Sequence, residues 1–193
     1  ELPKGVCNIV FGTGPSAGQP LVEHPGVPLI SFTGGTATGE QISKSAAPFF
    51  KKLSLELGGK NSAIILKDAD LKRAVLGTVR SSFLNQGEIC LCTSRILVQE
   101  DIYEKFLEDF STEVDNLVVG DPLAKDTFMG PLISKQHFEK VQKALNQAID
   151  EKGRLAAGLS DTELGDQFKG GFFMRPKVIA DLTQCSDIHQ TEI

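Results

Sequence analysis

The chain has 193 residues, with 20 Lys and Arg against 25 Asp and Glu, a formal charge of −5, 40% apolar residues and 19 Gly. That composition suits a globular protein with a sizeable core and excludes disordered, collagen-like and low-complexity readings, which need a charge excess or a biased repeat. No apolar run approaches the roughly 18 residues of a membrane span, and no Lys/Arg block concentrates charge as nucleic-acid binding requires, so neither membrane nor nucleic acid is expected as a partner.

Val6 to Phe11 is an apolar run ahead of Gly12-Thr13-Gly14-Pro15, and Pro28 to Phe32 is a second one ahead of Thr33-Gly34-Gly35-Thr36. Each reads as a buried strand entering a helix through a glycine turn. A helix is expected over about Thr38 to Ala47, stopped by Pro48, and a strand over Lys52 to Leu57. This βαβαβ rhythm implies a parallel sheet with helices on its faces. After Gly59 the rhythm restarts with a strand at Ser62 to Leu66. Asp68 or Asp70 then caps a helix with Leu71, Val75, Val79 and Phe83 on one face, ending near Asn85-Gln86-Gly87. Arg95 to Val98 is the next strand. Asp101 and Glu104 have capping-box spacing at the head of a helix facing inward through Ile102, Phe106, Phe110, Val114 and Leu117. Ser134 opens another, with Phe138, Val141, Leu145 and Ile149 inward, and Phe172 to Ala180 reads as a late strand. Residues 1–57 carry four basic and four acidic groups and the remainder 16 and 21. We place a domain boundary there, between 1–57 and 58–193.

The chain opens on Glu1 rather than Met and stops after Glu192-Ile193 without a turn signal, so we expect a piece of a longer protein. The four cysteines (Cys7, Cys90, Cys92, Cys185) make no disulfide scaffold, and with no glycosylation sequon they fit a reducing, cytoplasmic setting.

Three features could carry chemistry. A strand, glycine turn and helix N-terminus can hold a phosphate, because the first helical N–H groups point outward. Neither turn has the full dinucleotide fingerprint, so these glycines could equally serve only tight crossovers. Cys90 and Cys92 follow a loop that closes a helix. A buried inert thiol is the ordinary reading of a cysteine, zinc would need further ligands, and nothing ties a His to Cys90 for a hydrolase. Glu56 ends an alternating strand beside Gly58-Gly59 and is either an exposed charge or a general base.

The segments Leu55-Glu56-Leu57-Gly58-Gly59-Lys60-Asn61 and Phe83-Leu84-Asn85-Gln86-Gly87-Glu88-Ile89-Cys90 stand 34 residues apart from Glu56 to Cys90. Together they resemble the two signature segments of the NAD(P)-dependent aldehyde dehydrogenases. Phe32-Thr33-Gly34-Gly35-Thr36, Gly130-Pro131-Leu132-Ile133 and Thr191-Glu192-Ile193 are similar to further landmarks of that family, in order along the whole chain. Within it, Gly12-Thr13-Gly14-Pro15 and Gly87 to Arg95 look most like the branch acting on muconic semialdehydes.

The resemblance implies an α/β fold: a partial Rossmann-like parallel sheet (1–57, the second half of an NAD-binding domain) followed by part of an α/β catalytic domain (58–193). It implies oxidation of an aldehyde to the acid with NAD, NADP not being excluded. Cys90 would be the nucleophile and Glu56 the base that activates water. Gly14 and Gly18 would lie at the adenine side. Phe32, Gly34, Gly35 and Thr38 would line the pyrophosphate and nicotinamide region, Leu57 would offer its carbonyl to the carboxamide, and Glu192 would hold the nicotinamide ribose. His137 falls where relatives often place a ribose-contacting residue. Gly35 and Ala37 depart from frequent family residues. A homo-oligomer is implied for the full-length enzyme, and a truncated, non-catalytic association module is the alternative for this chain.

Overall fold

The computed structural model describes residues 2–158 and 168–193, and the chain divides into two compact units, Glu1–Gly58 and Gly59–Ile193. In the first, the short helix α1 (Gln19–Glu23) precedes β1 (Leu29–Gly34), α2 (Thr36–Ala46) and β2 (Lys52–Leu57). β1 and β2 pair in parallel, from Leu29 opposite Lys52 to Gly34 opposite Leu57. Parallel neighbours need a crossover, which α2 supplies. Alternation sends Ile30, Phe32, Leu53 and Leu55 to one face, where they pack against buried Val22, Ile42 and Ala46.

Two expectations for this unit change. Val6 to Phe11 forms no strand: among the described residues the unit's sheet consists of β1 and β2, and Ile9, Val10 and Phe11 are exposed. An apolar run without a neighbour to take its backbone hydrogen bonds has nothing to make it a strand. The crossover helix begins at Thr36 rather than Thr38, because Gly35 takes the extended cap conformation (φ −69°, ψ 147°) directly before it.

The second unit contains β3 (Asn61–Ile65), α3 (Leu71–Phe83), β4 (Thr93–Val98), α4 (Tyr103–Asp115), α5 (Lys135–Asp150), β5 (Arg154–Ala157) and β6 (Val178–Ala180). β3 and β4 are parallel with α3 as their crossover, whereas β5 and β6 are antiparallel. Asp70 caps α3 by accepting from the Arg73 N–H at 3.2 Å. The core gathers Ile65, Val75, Val79, Phe106, Phe110, Val114 and Ala157. The rings of Phe106 and Phe110 stack with centroids 5.5 Å apart.

Here three details differ from the sequence reading. The capping box at Asp101 does not form: α4 follows a 3₁₀ turn at Glu100–Ile102, Ile102 caps it without a side-chain bond, and Asp101 accepts from Gln99 instead. Ile149 is 48% exposed while Ala148 is 1% exposed, because the inward stripe steps three residues past Leu145 rather than four. The late strand shrinks to Val178–Ala180, and Pro176, with no N–H to give a ladder, stands just before it. No helix among the described residues is long and apolar enough to cross a membrane.

Candidate active site

In the first unit, Phe32, Gly34, Gly35, Thr38, Glu56 and Leu57 lie toward the ends of β1 and β2 and at the start of α2, whereas Gly14 and Gly18 do not. Gly34 closes β1 beneath the Phe32 ring, and a Cβ on Gly34 would stand 2.5 Å from Phe32 Cζ. Phe32 thereby packs on both the core and the turn. Gly35 puts no side-chain cap on α2, and its carbonyl accepts from the N–H groups of Thr38 and Gly39. The N–H groups of Thr36 and Ala37 are left at the positive end of the helix, where an added Cβ on Gly35 would meet nothing within 4 Å. This uncapped, open helix start suits an anionic diphosphate.

Gly39 is where α2 rests on the end of β2. An added Cβ there would lie 2.6 Å from Leu57 Cδ2, so a larger residue would make the tip of the Leu57 side chain turn aside. At the exposed Gly77 of α3 an added Cβ meets nothing within 4 Å. Gly77→Ala should therefore stabilise the intact protein by roughly 0.5–1 kcal/mol, and Gly39→Ala should gain less or lose stability, both read by denaturant unfolding. A larger gain at Gly39 would refute the packing argument.

Gly14 and Gly18 bound a five-residue π-type turn ahead of α1, and neither would bring an added Cβ within 4 Å of a neighbour. The glycine this turn requires is Gly12, whose added Cβ would sit 2.7 Å from Ala17 Cβ. Glu56 is exposed on β2, opposite Thr33 of β1, and Leu57 follows it half-buried.

In the second unit, α3 stops at Phe83 and the chain turns through three successive left-handed residues, Asn85 (φ 50°), Gln86 (φ 58°) and Gly87 (φ 74°). Such conformations cost about 1–3 kcal/mol each for non-glycine residues and persist only where neighbours hold them. The neighbours here can be named. The Glu88 N–H donates to Asn85 O at 3.0 Å and the Cys92 N–H to Ile89 O at 2.8 Å. Gln86, with its amide oxygen turned to Gly130, accepts the Gly130 N–H at 3.0 Å. Glu88 pairs with His137 of α5 at 3.3 Å, both side chains about three-quarters shielded (25% and 22% exposed).

The loop separates its two thiols. Cys92 is buried and its Sγ points to Leu84 O at 3.6 Å. Cys90 is exposed, and its carbonyl accepts from Asn61 Nδ2 at 2.6 Å. Among the described residues the Cys90 N–H has no acceptor. Behind the loop lies a cavity of about 880 Å³, with Lys60, Cys92, His137, Lys140 and Glu192 on its walls. Cys90 is not among its lining residues. Burial pushes the Lys60 ammonium below its ordinary 10.5, with Arg95 and Lys140 adding repulsion and Glu192 opposing them.

The family model for the aldehyde dehydrogenase family matches residues 1–193. The chain belongs to the aldehyde dehydrogenase family. Among its curated relatives, the 2-aminomuconic semialdehyde dehydrogenase of Mus musculus is 51% identical over 194 residues, covering 100% of the chain and 40% of the relative. Solved structures agree. Betaine aldehyde dehydrogenase from Staphylococcus aureus in complex with NAD+ superposes with a TM-score of 0.90 at 37% identity, over 95% of this chain and 36% of that one. A mutant of aldehyde dehydrogenase C from Pseudomonas syringae, complexed with NAD+ and octanal, gives 0.92 at 32% identity, over 100% and 39%. The α/β fold is therefore that of aldehyde dehydrogenases, and the chain spans about 40% of the length of the mouse relative.

Sequence reasoning passed over Asn61, Gln86 and the pairing of Glu88 with His137 in this member of the aldehyde dehydrogenase family. Asn61 had a readable signal: a polar amide heads the strand whose next apolar residues are Ala63, Ile64 and Ile65. The Gln86 and His137 contacts close across 44 and 49 residues (86 to 130 and 88 to 137), beyond any local pattern.

Proposed function

We propose that the enzyme to which this chain belongs oxidises an aldehyde to the carboxylic acid with NAD, through Cys90. The first unit would serve as the second half of the NAD-binding domain and the second as part of the catalytic domain. The observation that carries this reading is the exposed Cys90 thiol on an anchored, left-handed loop, two residues from a cysteine that is buried. The mouse relative is named for a 2-aminomuconic semialdehyde, which supports a muconic-type semialdehyde as the substrate.

A free thiol is only a few per cent thiolate at neutral pH, and the thiolate is the attacking form. Cys90 Sγ adds to the aldehyde carbon, forming a C–S bond and moving the carbonyl electron pair onto oxygen. The Cys90 N–H, without another acceptor among the described residues, is available to that oxyanion; one such donor is worth roughly 100- to 1000-fold. When bound, NAD would supply the acceptor for the hydride lost as the C–H bond of the thiohemiacetal carbon breaks and the oxyanion re-forms the carbonyl of a thioester. Glu56 then takes a proton from water, whose oxygen attacks the thioester carbon; the C–S bond breaks and the thiolate is restored.

For the cofactor, Gly35 and Thr38 at the open start of α2, with Phe32 and Gly34, would hold the pyrophosphate and nicotinamide region. Gly14 and Gly18 would lie beside the adenine, the Leu57 carbonyl would take the carboxamide, and Glu192 would hold the ribose. The test is direct. The intact enzyme should form one NADH per molecule of 2-aminomuconic semialdehyde oxidised, with kcat/KM above that for short unbranched aldehydes. Equal or lower efficiency with the semialdehyde would overturn the substrate class.

A further inference from the structure

We infer that Asn61 is a positioning residue for the thiol, acting through the Cys90 backbone. The inference rests on the reading of Cys90 as nucleophile. Its amide nitrogen donates to Cys90 O at 2.6 Å and lies 3.4 Å from Cys92 O, so one side chain spans the backbone on both sides of Leu91. The other restraints on the loop act elsewhere: on Asn85 and Ile89 carbonyls, on Gln86, on Glu88 and on Cys92 Sγ. Among the described residues, Asn61 is the hydrogen-bond partner of Cys90 itself.

The anchor is well founded in its turn. Asn61 is the first residue of β3 and stands opposite Thr93 of β4, while Arg95 Nε of β4 donates to the Lys60 carbonyl at 3.0 Å. The donor thus sits on the parallel pair, and the acceptor sits on the loop that the left-handed turn throws out. Holding the Cys90 carbonyl restrains the peptide plane that follows the nucleophile, and with it the Cα–Cβ bond from which Sγ projects. A displacement of about 1 Å at a reacting atom costs on the order of 100-fold in rate.

The test uses the intact enzyme carrying Asn61→Ala, Asn61→Asp and Asn61→Gln. Asp keeps the shape but replaces the donor with a carboxylate facing a carbonyl, and Gln keeps a donor on a longer arm. The first-turnover rate of NADH formation should fall about 10- to 100-fold in the Ala and Asp variants, and Gln should recover part of the loss. The KM for NAD and the thermal midpoint should remain near wild type. Alkylation of Cys90 by iodoacetamide should change rate in the same order as the first turnover. If Asn61→Ala does not fold, the Asp and Gln variants carry the comparison alone. A wild-type first turnover in Asn61→Asp overturns the proposal. So does a loss that tracks the thermal midpoint across all three variants, since that is what a merely structural role would give. Activity surviving in a Cys90→Ala enzyme would sink the underlying reading instead, whereas a dead Cys90→Ala beside normal Asn61 variants would sink only this inference.

Discussion

Cys90→Ala in the intact enzyme is expected to lower aldehyde-dependent NADH formation by roughly 10⁵- to 10⁶-fold, the scale of losing a covalent nucleophile. No other sulfur on the loop is placed to substitute. Cys92 is buried, with its Sγ turned to the Leu84 carbonyl at 3.6 Å, so reaching a substrate would require the loop to unfold. The companion variant Cys92→Ala should therefore keep its first-turnover rate within a few-fold of wild type and lose stability, since it removes a buried group. Stopped-flow NADH fluorescence reads the first quantity and thermal unfolding the second. NAD affinity, measured by titration, should survive in Cys90→Ala, because the proposed cofactor residues in this chain are Gly14, Gly18, Phe32, Gly34, Gly35, Thr38, Leu57 and Glu192. Substantial turnover by Cys90→Ala would show that the thiol does not form the covalent intermediate.

The contrast between these cysteines also shows how far the sequence could be read. Local rules located β2 at its observed limits, Lys52–Leu57, because alternation, a preceding proline and a following glycine pair all act within a few residues. They narrowed the α3 cap to Asp68 or Asp70 for the same reason, and the structure takes Asp70. They failed where the deciding partner is distant or not at hand: Val6 to Phe11 has strand composition but pairs with no strand among the described residues, and β5 gains its identity from β6, 24 residues later (154 to 178). At the candidate site, Cys90 and Glu56 were legible only as part of a two-segment signature. Their spacing alone pointed first to an inert thiol and an exposed charge. The exposure of one thiol, the burial of the other and the Asn61 bond between segments 29 residues apart arise from tertiary structure, which periodicity does not encode.

Glu56→Gln should separate the two halves of the proposed reaction. Glu56 is exposed near the end of β2, where water can reach its carboxylate, and glutamine keeps its size while removing the ability to take a proton. Acylation does not require that group in the proposed sequence, but hydrolysis of the thioester does. Steady-state kcat should consequently fall by about 100- to 10,000-fold, the usual worth of a general base, while one equivalent of NADH still forms rapidly per active site. The enzyme should then accumulate as the Cys90 thioester, visible in intact-protein mass spectra as the added acyl mass and absent from a Cys90→Ala, Glu56→Gln double variant. Hydroxylamine, which attacks thioesters without a protein base, should restore turnover in proportion to its concentration. An unchanged kcat would remove Glu56 from the mechanism. Loss of the rapid first equivalent would assign it to the formation of the thioester rather than its hydrolysis.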